Sequence, residues 1–189
     1  MRIFLDVGSH EGQTIDTVLN PVFKIDLIYG FEPSPTCYKV LIEKFGGNNK
    51  VVVFNFGLWN ETRTMILHNE STQGATIHID YESAWRGHGK ETMCSFIKAS
   101  DWFKNNLGKD EIFLKLNCEG CECDIVNDLI DSGEFNKLKA VLIDYDVRKS
   151  TSQRYKEAEL KKRLATLTIT NVYPYMDPHR TRVLNEVLK

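Results

Sequence analysis

Two segments of the chain share one order of residue types: an apolar run, a short loop of small and acidic residues, and the polar start of a helix. In the first, Ile3–Val7 precede a loop that contains Gly8 and Gly12, and the second spans residues 113–126. Strands that are followed by helices in this way lie parallel in one sheet, and the loops after them share one edge. The sequence therefore predicts an α/β fold with a ligand cleft where the two loops meet.

The rest of the chain continues the alternation of strand-like and helix-like segments, which is the pattern of a parallel sheet with helices on both faces. Further strands are predicted at residues 27–32, 51–56, 111–116, 140–145 and 168–173. We expect residues 182–188 to pair with the last of them as an antiparallel edge hairpin. With the first strand, this makes a mostly parallel sheet of seven strands.

The alternation breaks between about residues 57 and 100, where short β-like pieces near 63–68, 75–79 and 93–98 flank a polar stretch. We predict a β-rich inserted segment that lies over the cleft. A chain of 189 residues is long enough to bury roughly 70% of its unfolded surface in one core. The prediction is one domain over residues 1–189.

Charge and hydropathy exclude several classes of partner. The formal net charge of −2 gives no reason to expect a nucleic acid or an anionic membrane as partner. Asp6 interrupts the first apolar run after three residues, which is unlike a signal peptide, and no later run approaches the about 20 residues of a membrane span. We expect a cytoplasmic protein. The sequence leaves its oligomeric state open.

The first loop has the residue types of a nucleoside site. Gly8 and Gly12 permit a tight turn and a close approach of the backbone to a ligand. The helix after Gly12 directs free N–H groups and a partial positive charge to the same place, which suits a carboxylate or a phosphate. Glu32, at the tip of the second predicted strand, is placed to accept hydrogen bonds from ribose hydroxyls. The alternative is a tight turn that serves packing alone.

Charge distinguishes the candidate ligands. A dinucleotide site needs G-x-G-x-x-G, but Ser9 or His10 stands where the second glycine belongs, and Glu11 would repel phosphates. S-adenosyl-L-methionine has no phosphate, and its positive sulfonium tolerates the carboxylates of Asp6 and Glu119. The loop therefore favours S-adenosyl-L-methionine over a dinucleotide, and a nucleotide-dependent oxidoreductase is disfavoured.

Five motifs follow the order of a known family pattern: D-V-G-a-n-x-G, F-E-P-x-P, a strand that ends in asparagine, G-x-S, and K-I-D-V-E-G-x-E. The corresponding segments here are Asp6–Gly12, Phe31–Pro35, Asn55–Leu58, Gly74–Thr76 and Lys115–Glu122. In these motifs, which span about residues 3–146, the chain resembles the FkbM family of methyltransferases. The resemblance implies a class I Rossmann-like methyltransferase fold, S-adenosyl-L-methionine as cofactor, and O-methylation of a hydroxyl on a sugar, glycan or other small molecule.

The resemblance and the loop positions together give a predicted cofactor site. It comprises Asp6, Gly8, Ser9, His10, Glu11, Gly12, Thr14, Glu32, Pro33, Asn55, Gly57 and Asn117. For the acceptor we expect aromatic stacking and cationic groups from the insertion, namely Trp59, His68, Trp85, Arg86 and His88. The alternative for this second set is a solvated loop whose tryptophans pack on the core.

One residue departs from the family pattern. Asn117 replaces the aspartate of K-I-D-V-E-G, and an amide cannot take up a proton. Glu119 is the leading candidate for a substitute base, with His10 and Asp146 as further candidates. Alternatively, alignment of a strongly electrophilic sulfonium suffices without a base. A third interpretation is a catalytically silent module that binds S-adenosyl-L-methionine or a protein partner.

Three cysteines crowd one short segment, at Cys118, Cys121 and Cys123. The C-x-x-C spacing suits zinc, but the second ligand pair of a closed tetrahedral site is missing. Neighbouring carboxylates such as Glu122 and Asp124 could chelate a hard cation, although carboxylates are also favoured at any helix start. We predict reduced thiols and no metal site.

Overall fold

The computed structural model describes residues 1–82, 86–176 and 178–189. The strands are β1 (Arg2–Val7), β2 (Leu27–Phe31), β3 (Val51–Phe54), β4 (Gly57–Trp59), β5 (Arg63–Glu70), β6 (Lys90–Lys98), β7 (Glu111–Leu116), β8 (Leu138–Ile143) and β9 (Val172–Pro174). The α-helices are α1 (Gln13–Val18), α2 (Pro35–Phe45), α3 (Ala99–Asn106), α4 (Glu122–Ser132), α5 (Tyr155–Thr166) and α6 (Arg180–Leu188).

A six-stranded sheet in the order β3-β2-β1-β7-β8-β9 forms the centre of the fold. Every neighbouring pair in it is parallel. The chain first builds outward from β1 through β2 to β3 and then returns to the other side of β1 with β7. The strand order therefore reverses between β1 and β7, and such a reversal leaves a crevice beyond the carboxyl ends of the strands. The predicted α/β fold with a parallel sheet is confirmed.

The central strands are apolar on both faces because helices cover both sides. Leu5 and Val7 of β1 contribute to the hydrophobic cluster that includes residues of α3, α4 and α5, whereas Phe4 contributes to the cluster that includes residues of α1, α2 and α6. Helix α2 begins after Ser34, whose hydroxyl accepts a hydrogen bond from the Cys37 N–H at 3.1 Å. The strand ends between these layers carry the candidate site.

The predicted C-terminal hairpin is wrong. Residues 182–188 belong to helix α6, and the main sheet has six strands rather than seven in the described part of the chain. Leu184 and Leu188 are four residues apart, so they share one helical face, and both are buried in the core. Their burial beside Phe4 and Leu142 explains why this segment packs as a helix against the sheet instead of extending its edge.

The insertion forms a second sheet of three strands in the order β4-β6-β5. β5 and β6 pair antiparallel, and β4 and β6 pair parallel. The insertion thus contains β structure, but residues 75–79 form no strand, and the described contact there is an isolated bridge between His68 and Thr76. Across the described residues, no helix combines the length and the apolarity that crossing a membrane requires.

Candidate functional site

A cavity of about 670 Å³ opens at the carboxyl ends of β1, β2 and β7, where the strand order reverses. Its volume lies in the range of small-molecule sites. Residues 72–77 of the insertion line it together with the loops that follow the strands. We call residues 8–12 the Gly8 loop, residues 117–121 the Cys118 loop and residues 71–82 the cover segment. Both junction loops singled out in the sequence therefore meet at one cavity.

A buried ion pair lies beneath the Gly8 loop. The Lys115 Nζ is 2.8 Å from Asp6 Oδ1, and both side chains are almost fully buried on neighbouring strands. Burial raises the pKa of Asp6, and the Lys115 charge opposes that rise. Lys115 Nζ also donates a hydrogen bond to the Gly8 carbonyl at 2.8 Å. The pair thus holds the start of the loop that lines the cavity.

The two glycines of the Gly8 loop serve packing more than ligand access. Gly8 has a φ of +77°, and a Cβ there would overlap the backbone carbonyl of Asn117. Gly12 has a φ of +85°, and a Cβ there would overlap the Phe45 ring of α2. The sequence predicted that these two positions leave open space for a ligand. In the structure, other protein atoms occupy that space. Gly8 lets the two junction loops touch, and Gly12 lets α2 approach the loop.

Glu32 follows β2 and is buried at the cavity wall. Its Oε2 accepts a hydrogen bond from the His10 N–H at 2.7 Å, and its Oε1 accepts one from the Ser34 N–H at 2.9 Å. Burial raises the pKa of Glu32 to about 7 despite these bonds. Each carboxylate oxygen can accept a further hydrogen bond. Glu32 therefore shapes the Gly8 loop and still has acceptor capacity for a ligand hydroxyl.

His10 and Asn117 each present to the cavity wall a polar atom without a partner among the described residues. His10 Nε2 and Asn117 Oδ1 are buried without a hydrogen bond to any described residue. Burial lowers the pKa of His10, so the imidazole is neutral near pH 7. Buried polar atoms are nearly always hydrogen bonded, so these two are positioned to bind a polar ligand.

Glu119 and Asp146 lie on either side of one lysine. Lys149 Nζ is 2.7 Å from Asp146 Oδ1 and 3.3 Å from Glu119 Oε2. The Tyr81 hydroxyl also donates a hydrogen bond to the Glu119 carboxylate. Burial, reinforced by the charge of Asp146, raises the pKa of Glu119 to about 7. A carboxylate with a pKa near neutrality has the property that general base catalysis requires.

The cover segment is fastened to the Cys118 loop. The Thr76 hydroxyl donates a hydrogen bond to the Glu119 carbonyl at 2.6 Å, and Asp80 accepts hydrogen bonds from Ser150 and Ser152. Thr76 and Asp80 therefore hold the cover segment against the loops at the cavity.

The predicted cofactor residues divide into two groups. Eight line the cavity, namely Gly8, Ser9, His10, Thr14, Glu32, Pro33, Gly57 and Asn117. The other four, Asp6, Glu11, Gly12 and Asn55, are not among the described lining residues. Asp6 lies below the cavity, Glu11 is exposed, and the Asn55 amide donates hydrogen bonds to the carbonyls of Glu32 and Pro33 at 3.0 and 3.2 Å. All three candidate bases, His10, Glu119 and Asp146, line the cavity.

The structure describes four of the five predicted acceptor residues. Trp59 Nε1 donates a hydrogen bond to Asp124 at 3.3 Å, and His68 Nδ1 is 2.9 Å from Glu91 on the three-stranded sheet. These two residues, Arg86 and His88 are not among the described residues that line the cavity, and Trp85 lies outside the described residues. The insertion reaches the cavity through residues 72–77 of the cover segment and through Gly57, Leu58, Leu67 and Phe96 of the three-stranded sheet.

Three cationic residues at the cavity were not selected from the sequence: Lys115, Lys149 and Arg180. Each is paired with a carboxylate, and Arg180 lies 2.9 Å from Asp144. Only Lys115 carried a usable signal, because a lysine in an apolar buried strand needs a buried partner. Within the part of the chain that the structure describes, no group of three or more His, Cys, Asp or Glu side chains is arranged to hold a metal ion.

Comparison with known proteins supports the fold. No protein-family model and no curated protein matches the chain. It is similar to the crystal structure of methyltransferase FkbM from Methylobacillus flagellatus KT, with a TM-score of 0.51 and 14% identity over 89% of this chain and 38% of that chain. A fibrillarin/Nop5p complex is also similar, with a TM-score of 0.42 and 13% identity over 88% of this chain and 60% of that one. The chain thus spans less than two thirds of either one. The first likeness shows that this chain has the fold of that methyltransferase.

Proposed function

We propose that the cavity binds S-adenosyl-L-methionine and that the chain transfers its methyl group to a hydroxyl of a small-molecule or glycan acceptor. The observation that carries this proposal is the buried Glu32 carboxylate, which lies at the tip of β2 on the wall of a cavity at the strand-order reversal. In folds of this kind a carboxylate at that position accepts hydrogen bonds from ribose hydroxyls.

The charges at the cavity favour a nucleoside ligand without phosphate. The cations that line it in the described residues, Lys115, Lys149 and Arg180, are each paired with a carboxylate. A pyrophosphate would have to displace one of those carboxylates, whereas a sulfonium adds a positive charge beside Glu119 and Asp146. Glu11, which the sequence suggested as the group that repels phosphates, is exposed and takes no part in this argument.

The residues of the chain divide into a cofactor end and an acceptor end. At the cofactor end, Glu32 would hold the ribose, and the unpartnered atoms of His10 and Asn117 would bind other polar groups. At the acceptor end, Glu119 and Asp146 flank Lys149. S-adenosyl-L-methionine supplies a methyl group on a positively charged sulfur. Glu119, with its pKa near 7, would accept the proton of the acceptor hydroxyl.

A catalytically silent binding module is the second candidate. Asn117 cannot accept a proton. Glu119 is already bonded to Tyr81 and Lys149, which is also the arrangement of a residue that fastens the cover segment. If Glu119 serves only that purpose, cofactor binding remains and turnover does not.

Turnover with labelled S-adenosyl-L-methionine and a panel of glycans and small alcohols distinguishes the two candidates. We expect the wild-type protein to methylate a hydroxyl acceptor. Glu119→Gln should lower the maximal rate by about 10²-fold, the usual contribution of a general base, while cofactor affinity changes less than about threefold. Glu43→Gln, an exposed position on α2, is the matched control and should leave the rate unchanged.

Asn117→Asp completes this experiment. Activity in both the wild type and Asn117→Asp would make Asn117 a residue that positions a ligand through its amide. Activity that appears only in Asn117→Asp would show that the natural chain is a binding module, and the proposed enzymatic function would then be wrong.

A further inference from the structure

The C-x-x-C segment lies in the cavity wall. Cys118 and Cys121 both line the cavity. Between them, Glu119 and Gly120 have φ values of +54° and +115°, which fold the loop into a tight turn. The turn brings the two side chains close enough for the thiols to interact, which favours the thiolate of Cys121 and disfavours that of Cys118. Cys121 is also the N-cap residue of α4. A helix N-terminus stabilises a thiolate.

His78 of the cover segment completes this arrangement. Its Nε2 is 3.2 Å from the Gly120 carbonyl oxygen, and its imidazole interacts with the neighbouring Cys121 thiol. A Cβ at Gly120 would lie 2.6 Å from the imidazole Cδ2, so the missing side chain allows this contact. Burial opposes protonation of His78, but the interaction with Cys121 and the hydrogen bond to the Gly120 carbonyl outweigh it and raise the pKa of His78. A histidine beside a thiol favours the thiolate.

The other charged groups around Cys121 oppose the thiolate only in part. Glu122 and Asp124 follow it on α4, and Asp124 is paired with Lys156 at 2.7 Å. The interactions with Cys118 and His78 prevail, and the pKa of Cys121 is lowered to about 6. Burial raises the pKa values of the other four cysteines, Cys37, Cys94, Cys118 and Cys123. Cys121 is therefore set apart from them as the reactive thiol.

We propose that Cys118 and Cys121 form a redox-active dithiol in the cavity wall, which a small hydroperoxide converts into a disulfide. The Cys121 thiolate attacks one oxygen of the hydroperoxide, the O–O bond breaks, and Cys121 becomes a sulfenic acid. The other oxygen leaves as an alcohol, or as water when the oxidant is hydrogen peroxide, and takes up the proton that Cys121 had released. The Cys118 sulfur then attacks the Cys121 sulfur, the S–O bond breaks, and water leaves with the proton of Cys118. In sum, two thiols lose two hydrogens, and the hydroperoxide is reduced.

The site stands independently of the ligand proposed for the cavity. It depends only on the turn of the Cys118 loop and on His78, and its test reads thiols rather than methyl transfer. Glu119 and Gly120 lie inside the ring that the disulfide closes. Oxidation would therefore fix the segment that carries the leading candidate base.

Intact-protein mass spectrometry of the reduced chain, treated with one to two equivalents of hydrogen peroxide, tests the proposal. We expect a mass loss of about 2 Da, the two hydrogens removed, together with the loss of two of the five alkylatable thiols. Peptide mapping should place the bond between Cys118 and Cys121, and dithiothreitol should reverse it. Cys94→Ser, which removes a buried cysteine on β6, should oxidise like the wild type.

Two variants make the test specific. In Cys118→Ser the loss of about 2 Da should give way to addition of oxygen at Cys121. His78→Gln should slow alkylation of Cys121 by iodoacetamide roughly tenfold at pH 7, because the thiolate fraction falls. The proposal would be wrong if the wild-type protein showed no mass loss, or if the bond involved another cysteine. It would also be wrong if a disulfide still formed in Cys118→Ser. An unchanged alkylation rate in His78→Gln would show that the imidazole does not favour the Cys121 thiolate.

Discussion

Replacement of Gly8 with alanine is expected to lower the free energy of unfolding by about 4 kcal/mol, because the added Cβ would overlap the backbone of Asn117 and no flexible side chain can yield. The positive φ of +77° adds to this cost. Since β1 and β7 are central strands, the backbone can relax only by separating the two loops that form the cavity. Chemical denaturation followed by circular dichroism measures the change.

Gly133→Ala is the matched control for this prediction. Gly133 has nearly the same conformation, with a φ of +80°, but an added Cβ would meet no atom within 4 Å. Its substitution should cost only about 1 kcal/mol, the price of the left-handed conformation for a residue with a side chain. Equal losses in the two variants would show that the contact between the two loops is not what requires Gly8.

Lys115→Met is expected to lower the free energy of unfolding by about 3–5 kcal/mol, the usual cost of leaving one member of a buried ion pair without its partner. Asp6 is 0% exposed, so water cannot replace the lost charge. The substitution also removes the hydrogen bond to the Gly8 carbonyl. The same denaturation experiment measures the loss.

Two further variants separate burial from charge. Lys161→Met breaks a pair between an exposed lysine and the half-buried Glu157 on α5 and should cost less than about 1 kcal/mol. The double variant Asp6→Leu with Lys115→Met removes both buried charges and should recover most of the loss. If Lys115→Met is as mild as Lys161→Met, or if the double variant is no better than the single one, the buried pair does not have the role assigned to it.

The sequence predicted the parts of the fold that depend on local pattern. Continuous apolar runs located β1, β2, β7 and β8, because parallel strands covered on both faces have few polar positions. Residues 182–188 were wrongly predicted to form an edge strand, because a short segment with Leu184 and Leu188 is compatible with either an edge strand or a helix. Only packing against the core selects the helix.

The candidate site was predictable where a residue directly follows a strand, as Glu32 and Asn117 do. It was not predictable where contact arises from the packing of distant segments. Thr76 and His78 contact the Cys118 loop although they lie about 40 residues away from it in the sequence, and no local sequence pattern predicts these contacts. Asp6 and Lys115 were each visible in the sequence, but only the register of β1 with β7 pairs them.

Isothermal titration calorimetry with S-adenosylhomocysteine, the demethylated product, and with NAD tests the central claim most directly. We expect the product to bind and NAD to give no heat. Glu32→Ala should weaken product binding by roughly 1–3 kcal/mol, the cost of losing hydrogen bonds to a charged group, while circular dichroism shows an intact fold. Glu11→Ala, which removes an exposed carboxylate of the same loop, should bind like the wild type. NAD binding with no response to the product, or a folded Glu32→Ala variant with unchanged affinity, would contradict the account.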